Sequence, residues 1–329
     1  MGCGASTAVP AAKDMADEAA ASRAKKEAAA KAATTAPAEG EPENGHKPLL
    51  KKITTSNMTW KMMSAKATLP TEGMCWPLAL VADQDEASKT DAGWQSHLAY
   101  GKLVYNGAKG GASYSLEMKG EAPLITERAD KAGRGAEYSA LEVFDGKLIT
   151  VDDRTGNMDE LVPADGFSFT IKPMVDGEGN KIVVKLGDGQ KDKPLKCEWS
   201  TQKDGKLYVG STGKERTDDD GNVVHEGEMW IKCFTPGSMA VEHIDWRNVY
   251  NGLRDAAECR PGAGYIIHES ARWSDFHGMW FFLPRKSSRQ PYDEVADTKK
   301  CVNLMMCAPD SLQSTEGDKV HMPQDARSN

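Results

Sequence analysis

Short apolar or alternating runs, separated by Gly, Asp and Asn, dominate the chain beyond residue 50. A period of two is typical of β-strands, and breaks rich in these residues are typical of tight turns. Helical periodicity is convincing only once, between Trp246 and Cys259. The pattern therefore predicts a mainly β fold that begins near Leu49.

A short turn-and-strand motif recurs along this β-rich part. Asp145-Gly146-Lys147 and Asp204-Gly205-Lys206 each lead into an apolar strand, and weaker copies are centred on Gly101 and Gly278. Each copy predicts a hairpin. Successive glycines are 45, 59 and 73 residues apart, which suits four-stranded blades with variable loops. We therefore predict a β-propeller, with unrelated hairpins in a sandwich as the alternative.

An oxygen-bearing side chain stands beside a bulky residue upstream of each copy of the motif. These side chains are Ser96, Glu137, Glu198 and Ser270. Because the innermost strands of a propeller converge on its axis, one oxygen per blade would form a ring. Ca²⁺ takes six to eight oxygen ligands, so such a ring predicts a calcium site.

The charge balance and composition exclude several classes of function. The chain of 329 residues has 49 acidic and 41 basic residues and a net charge of −8, which argues against a surface for duplex nucleic acid. No apolar run approaches the roughly 20 residues that a membrane-spanning helix needs. The seven cysteines lack the spacing of a zinc site, and we expect most of them to be small buried hydrophobic residues.

The first residues carry a lipidation pattern. Met1-Gly2-Cys3-Gly4-Ala5-Ser6 fits N-myristoylation at Gly2, and Cys3 stands where palmitoylation often follows. Two acyl chains together hold a protein on a membrane. Residues 11–45 contain no Leu, Ile, Val or aromatic residue. We therefore predict a lipidated tether over residues 1–48, disordered or partly helical, at the cytosolic face of a membrane, and a folded domain over residues 49–329.

Charged residues gather where predicted strands end, as is typical of a site presented at the rim of a scaffold. Solvated turns are the alternative. The residues are Asp83, Asp85, Asp152, Asp153, Arg154, Lys214, Glu215 and Arg285.

Six stretches resemble the calcium-activated nucleotidase (apyrase) family and stand in the order of that family. They are ALVADQDEASK, KAGRGAEYSALEVFDGKLITVDDRTG, KCEWS, KLYVGSTGKE, GYIIHESARWSD and WFFLPRKSS, and they lie between Ala79 and Ser288. The resemblance implies a five-bladed β-propeller with Ca²⁺ in the central tunnel. It also implies hydrolysis of nucleoside di- and triphosphates, with UDP and GDP as the expected substrates and ATP as a further candidate.

The resemblance also implies roles for individual residues. The calcium ligands would be Ser96, Glu137, Glu198 and Ser270. Catalytic contacts would come from Asp83, Asp85, Asp152, Asp153 and Arg154, and substrate contacts from Trp199, Lys214, Glu215 and Arg285. Metal-assisted attack of water on the terminal phosphoryl group is the implied mechanism, with one of Asp83, Asp85 or Asp152 as the base.

The chain departs from the family pattern in two places. Residues 311–329 show neither the strands of a complete last blade nor a late glutamate that binds calcium in the family. We therefore expect an incomplete fifth blade, and the alternative function is a catalytically impaired, membrane-tethered binding or scaffold module. Arg216 replaces an aromatic residue near the nucleotide. Because family members usually work in the secretory lumen or outside the cell, the endoplasmic reticulum or Golgi lumen, or secretion, is the alternative location. No pattern in the sequence indicates the oligomeric state.

Overall fold

A computed structural model describes residues 70–108, 113–165, 168–218, 222–260 and 262–310. The predicted tether, with Gly2 and Cys3, and residues 311–329 lie outside the described residues. Among those that are described, no helix is long and apolar enough to cross a membrane.

The first two sheets occupy residues 75–173. The first sheet contains β1 (Cys75–Ala82), β2 (Lys89–Thr90), β3 (Gly93–Tyr105) and β4 (Tyr114–Thr126), with β3 paired to each of the other three strands. A short 3₁₀ helix, Asp85–Ser88, follows β1. The second sheet is a meander in the order β5 (Tyr138–Phe144), β6 (Lys147–Asp152), β7 (Met158–Ala164) and β8 (Ser168–Pro173).

The third and fourth sheets complete the described part. The third is a meander of β9 (Trp199–Lys203), β10 (Lys206–Gly210), β13 (Trp230–Phe234) and β14 (Val241–Asp245). Between β10 and β13 lie the hairpin of β11 (Arg216–Thr217) and β12 (Val223–His225) and a 3₁₀ helix, Gly227–Met229. Helix α1 (Arg247–Ala256) leads to the fourth sheet, β15 (Tyr265–Ser274), β16 (Met279–Ser288) and β17 (Met306–Pro309), with the short helix α2 (Glu294–Asp297) before β17.

The four sheets are the blades of a β-propeller, which confirms the predicted fold. The first strands of neighbouring blades lie against each other: β1 contacts β5, β5 contacts β9 and β9 contacts β15. Apolar side chains fill the space between blades, for example Leu98 and Tyr138 between the first two. The described residues show four blades, and the number five stays a prediction.

Three of the four motif copies form the predicted hairpin turns. Asp145 and Gly146 have φ values of 51° and 72°, and Asp204 and Gly205 have the same pair of values. Positive φ at both central residues defines the type I′ turn that matches the twist of a hairpin. Gly278, with φ 63°, closes the turn between β15 and β16.

The hairpin turn predicted for the remaining copy, centred on Gly101, is wrong. Gly101 lies inside β3 rather than in a turn, at a register shift against β4. A Cβ at this position would collide with the carbonyl oxygen of Glu117. Glycine is needed here for the close approach of two strands, a role that sequence alone does not distinguish from a turn.

Helix α1 confirms the one helical prediction, since it spans Arg247–Ala256 within the predicted range. Its buried face carries Val249, Tyr250 and Leu253, which join an apolar cluster between the third and fourth blades. Trp199, Trp246 and Trp280 belong to the same cluster, with ring centroids 4.8 to 6.3 Å apart. This aromatic cluster fixes the third blade against the fourth and thereby positions the strands that carry the candidate site.

Candidate active site

Acidic side chains from the first and second blades meet at the end of β1 and the start of β5. Asp83 and Asp85 directly follow β1 and are exposed, whereas Glu137 directly precedes β5 and is buried. One carboxylate oxygen from each of the three lies within 4.8 Å of the others. Arg134 donates two hydrogen bonds of 2.6 Å to Glu137 and one of 2.9 Å to Asp85. A single guanidinium therefore bridges two blades.

A second cationic bridge joins the second blade to the third. Asp153 follows the end of β6, and Glu198 directly precedes β9; both carboxylates are buried. The ammonium of Lys196 lies 2.7 Å from Asp153 Oδ2 and also donates a hydrogen bond to Glu198 Oε1. Asp153 Oδ1 is buried and has no hydrogen-bond partner among the described residues.

The fourth blade contributes Glu269 and Ser270 from the middle of β15. Arg285 of β16 forms an ion pair with Glu269. Ser270 and Glu198 line one cavity of about 170 Å³, together with residues of β5 and β9. The hydrogen bond that Arg285 donates to the Glu269 carboxylate raises the pKa of Arg285, and the charges of Glu198 and Asp85 raise it further. Carboxylates of three different blades therefore act on the charge of Arg285.

Ser96 lies on β3, which pairs with β1 and packs against the second blade through Leu98. Ser96 is fully buried, and its hydroxyl donates a 2.6 Å hydrogen bond to the Ala82 carbonyl. This bond holds the end of β1 immediately before Asp83.

Burial and mutual repulsion raise the pKa of the central carboxyl groups. Loss of solvation raises the pKa of Glu137 to about 7 and that of Glu198 to about 8, despite the opposing effects of Arg134 and Lys196. Burial likewise raises the pKa of Asp153 to about 6. Neighbouring carboxylates contribute in each case: Asp153 acts on Glu137 and Glu198, and Asp83 acts on Glu137 and Asp153. These groups therefore form one electrostatic cluster across the blades.

Asp152 and Arg154 are fixed by hydrogen bonds beside this cluster. Both oxygens of the buried Asp152 accept backbone N–H groups, from Ala136 on one side and Arg154 on the other. Burial raises the pKa of Asp152. Arg154 donates two hydrogen bonds, of 3.1 and 2.6 Å, to one oxygen of Asp130. Asp152 thus stabilises the turn after β6. Arg154 is half-buried, and its hydrogen bonds to Asp130 fix the orientation of its guanidinium.

Lys214, Glu215 and Trp199 contact other parts of the fold. Glu215 receives hydrogen bonds of 2.6 and 3.1 Å from the buried Arg254, which keep its pKa lowered even though burial acts in the opposite direction. Burial lowers the pKa of Lys214, whose ammonium lies 4.4 Å from the centre of the Tyr292 ring. Trp199 is buried in the aromatic cluster and donates its indole N–H to the Ser211 carbonyl. These contacts give Glu215 and Trp199 structural partners.

Four residues of the site were missed in the sequence analysis: Asp130, Arg134, Lys196 and Glu269. A partial signal existed for the two cations, because Arg134 stands three residues before Glu137 and Lys196 two residues before Glu198. Such spacing does not reveal that each cation also reaches a carboxylate of another loop. Asp130 is distant in sequence from Arg154 and is recognisable only from the fold.

The cluster fits a divalent cation. Six carboxylates gather here with three cations. Arg134, Lys196 and Arg285 pair with five of them, those of Asp85, Glu137, Asp153, Glu198 and Glu269. The sixth, that of Asp83, lies beside Asp85 and Glu137. If all six were ionised, three negative charges would remain without a partner. Carboxylate and hydroxyl oxygens are the donors that hard cations prefer, and the unpartnered Asp153 Oδ1 offers a free lone pair.

Comparison with known proteins agrees with this geometry. A model of the apyrase family matches residues 82–328. The chain is 38% identical over 242 residues to "soluble calcium-activated nucleotidase 1" of Rattus norvegicus, covering 72% of this chain and 55% of the relative.

Two further relatives carry similar names. They are "apyrase apy-1" of Caenorhabditis elegans, 34% identical over 245 residues and 74% of this chain, and an "apyrase" of Cimex lectularius, 30% identical over 246 residues and 74% of this chain. The matches cover 65% and 64% of these two relatives. The chain therefore spans between about half and two thirds of the length of the relatives it matches. Because the family pattern covers most of the sequence and the propeller carries its acidic residues together, the chain belongs to the apyrase family.

Proposed function

We propose that this protein is a calcium-dependent phosphohydrolase of nucleoside di- and triphosphates. The observation that carries the proposal is the cluster of six carboxylates from four blades, which exceeds its three cations in charge. A site of this kind can bind a divalent cation and, beside it, the phosphate chain of a nucleotide. Membership of the apyrase family and the printed names of the relatives support the same activity.

Glu137, Glu198 and Ser270 are the residues that would hold the calcium ion, together with the predicted ligand Ser96. Glu198 and Ser270 line the same cavity, and Glu137 belongs to the acidic cluster of the first two blades. When bound, calcium would act as a Lewis acid toward phosphate oxygens. Asp153 adds to the negative field at Glu198, because the two buried carboxylates share the ammonium of Lys196.

The arginines and Asp83 would act on the substrate. Arg285 is more than half exposed, and Arg154 is half-buried, so both guanidinium groups can reach a phosphate chain from the rim. Arginine binds phosphate oxygens in a bidentate manner. Asp83 is the best placed of the three candidate bases: it is exposed, and its Oδ2 accepts only a 3.3 Å hydrogen bond from the Ser139 hydroxyl. Asp152 is less suited, because it is buried and both of its oxygens accept backbone N–H groups.

The test is release of phosphate by the full chain from UDP, GDP and ATP, in calcium and in excess chelator. We expect release only with calcium, and we expect Glu198→Gln to reduce the rate at least about a hundredfold because it removes a charged ligand. Glu160→Gln is the control: Glu160 lies on β7, is largely buried and pairs with Lys172, and it should leave the rate unchanged.

A folded protein that releases no phosphate would overturn the enzymatic proposal. The chain would then be better described by the alternative from the sequence analysis, a propeller that acts as a binding or scaffold module. Circular dichroism of the same sample establishes whether the protein is folded.

We also propose a preference for UDP and GDP over ATP, which follows from the resemblance alone. Trp199 is 3% exposed and therefore offers little surface on which a base could stack. Discrimination between bases therefore has to come from other residues, and we expect it to be modest. Competition among the three nucleotides in one reaction measures the ratio of kcat/KM values.

We further propose that residues 1–48 form a tether acylated at Gly2 and Cys3, attached to a domain over residues 49–329. The pattern Met1-Gly2-Cys3 supports this proposal. In cells, the full chain should sediment with membranes and Gly2→Ala should release it to the soluble fraction, with Ser6 and Cys3 unchanged. Recovery of wild-type protein in the medium or the secretory lumen would favour the alternative location.

A further inference from the structure

Lys196 contacts two of the six carboxylates, and the proposed function gives it no role. Its ammonium bridges the buried carboxylates of Asp153 and Glu198, which belong to different blades. The exposed fractions of these carboxylate side chains are 2% and 4%, whereas that of Lys196 is 41%. The lysine stem therefore reaches inward from solvent, and only its charged end lies among the acids.

Without a counterion this arrangement would be costly. Two buried carboxylates near each other repel, and each loses hydration on burial. A lysine is suited to neutralise them reversibly, because its ammonium is a compact point charge on a flexible stem. Because the stem is exposed, the ammonium can move from the carboxylates into solvent.

We propose that Lys196 is an internal counterion that competes with the divalent cation for Asp153 and Glu198. In the metal-free protein the ammonium holds the second and third blades together at the cluster. When the metal binds Glu198, the ammonium leaves the carboxylates and moves outward along its exposed side. This inference rests on the proposed function only in requiring that the cluster binds a divalent cation.

Competition of this kind makes a prediction that a purely structural ion pair does not. Removing a structural lysine lowers the stability of the metal-free protein and weakens metal binding or leaves it unchanged. Removing a competing lysine lowers the stability of the metal-free protein but strengthens metal binding, because the cation no longer has to displace an ammonium.

The experiment titrates CaCl₂ into the full chain by calorimetry for wild type, Lys196→Met and Lys196→Arg. A pH of about 9 keeps protons from competing for the carboxylates. For Lys196→Met we expect calcium affinity to rise about tenfold, a typical coupling between linked sites. We expect its Tm in chelator to fall by about 5 °C, while Lys196→Arg, which keeps the charge, should resemble wild type in both measurements.

Lys185→Met is the matched control. Lys185 also pairs with an aspartate, Asp192 at 3.4 Å, and its side chain is 42% exposed, but Asp192 is not one of the six carboxylates of the cluster. Its loss changes the net charge equally and should leave calcium affinity and Tm unchanged.

Each outcome of the experiment has a defined meaning. Weaker or unchanged calcium binding by a folded Lys196→Met would overturn the competition. If Lys196→Met does not fold, the calcium affinities of Lys196→Arg and Lys196→Gln test the competition instead. Only the neutral glutamine should strengthen calcium binding, and equal affinities would overturn the proposal. Absence of calcium binding by wild type would instead remove the calcium dependence of the proposed function, and the inference with it.

Discussion

At the scale of single residues, the propeller holds polar groups in environments that change their protonation. His268 of β15 is fully buried, and neither ring nitrogen has a hydrogen-bond partner among the described residues. It packs against the rings of Tyr250 and Phe282. Burial lowers the pKa of His268 to about 3, and the positive charge of Arg254 acts in the same direction. The imidazole is therefore neutral in the folded protein throughout the physiological range.

The lowered pKa of His268 predicts a loss of stability in mild acid. The unfolded chain binds a proton at His268 below about pH 6.5, whereas the folded protein does not bind it until about pH 3. The contribution of the neutral imidazole to the free energy of unfolding is therefore complete above about pH 6.5. It is lost as the pH falls toward 3, at up to about 1.4 kcal/mol per pH unit. Between pH 6 and pH 4.5, wild type should lose about 2 kcal/mol more than His268→Leu in urea unfolding.

Parallel curves for wild type and His268→Leu would mean that the imidazole is hydrated in solution.

At the scale of elements, backbone conformation and one buried ion pair fix the hairpins and the helix. The type I′ turns at Asp145-Gly146 and Asp204-Gly205 need positive φ at both positions. Helix α1 is held by Arg254, which is 1% exposed and donates hydrogen bonds to Glu215 and to the Gly264 and Cys259 carbonyls. These contacts join the helix to the segment after β10 and to the start of the fourth blade.

Two glycines should respond to alanine in opposite directions. Gly205 has φ 72°, and a Cβ there would meet no atom within 4 Å, so Gly205→Ala suffers only the backbone strain, about 1 kcal/mol of destabilisation. Gly252 lies inside α1 with equally open space, and Gly252→Ala should stabilise by about 0.5–1 kcal/mol. Urea unfolding of the two variants measures both values, and a loss of stability in Gly252→Ala would contradict the helix.

Arg254→Met should destabilise the protein by about 3–5 kcal/mol, because it leaves the Glu215 carboxylate without its partner. Arg247→Met is a control on the same helix. Arg247 pairs with Asp245 and Glu226 at the surface, where the loss should stay below about 1 kcal/mol. Equal losses from the two variants would show that burial of the Arg254 pair is unimportant. Adding Glu215→Gln to Arg254→Met should recover part of the loss.

At the scale of the whole molecule, the candidate site exists only because four blades bring their loops together. Asp83, Glu137, Glu198 and Glu269 come from four separate blades. Arg134 joins the first blade to the second, and Lys196 joins the second to the third. A cation bound among them therefore links the blades and should stabilise the entire propeller rather than one loop.

Calcium should accordingly raise the thermal stability of the full chain. A ligand at a hundred times its Kd adds about 2.7 kcal/mol to the free energy of unfolding, which corresponds to roughly 5–10 °C in Tm. Magnesium should have a smaller effect, since it prefers near-octahedral geometry and retains its waters. Calorimetric scans in calcium, magnesium and chelator test this, and identical Tm values would argue against a site that spans the blades.

Much of the fold was accessible from local sequence. The two Asp-Gly turns and the helix after Trp246 were predicted because their chemistry is local: φ preference in one case and apolar periodicity in the other. Gly101 was misjudged because a glycine permits both a turn and the close approach of two strands. The sequence around it is the same for both.

The sequence by itself determined the β-rich pattern, the turns and the acidic residues that end or precede strands, since these depend on neighbours along the chain. Only the tertiary structure decided which carboxylates share one field and which cations lie between them. Lys196 meets Asp153, and Arg134 meets Asp85, across distances of tens of residues in sequence. Trp199 and Glu215 acquired partners within the fold for the same reason. Electrostatic energy depends on separation in space and on burial, and neither quantity exists until the blades have packed together.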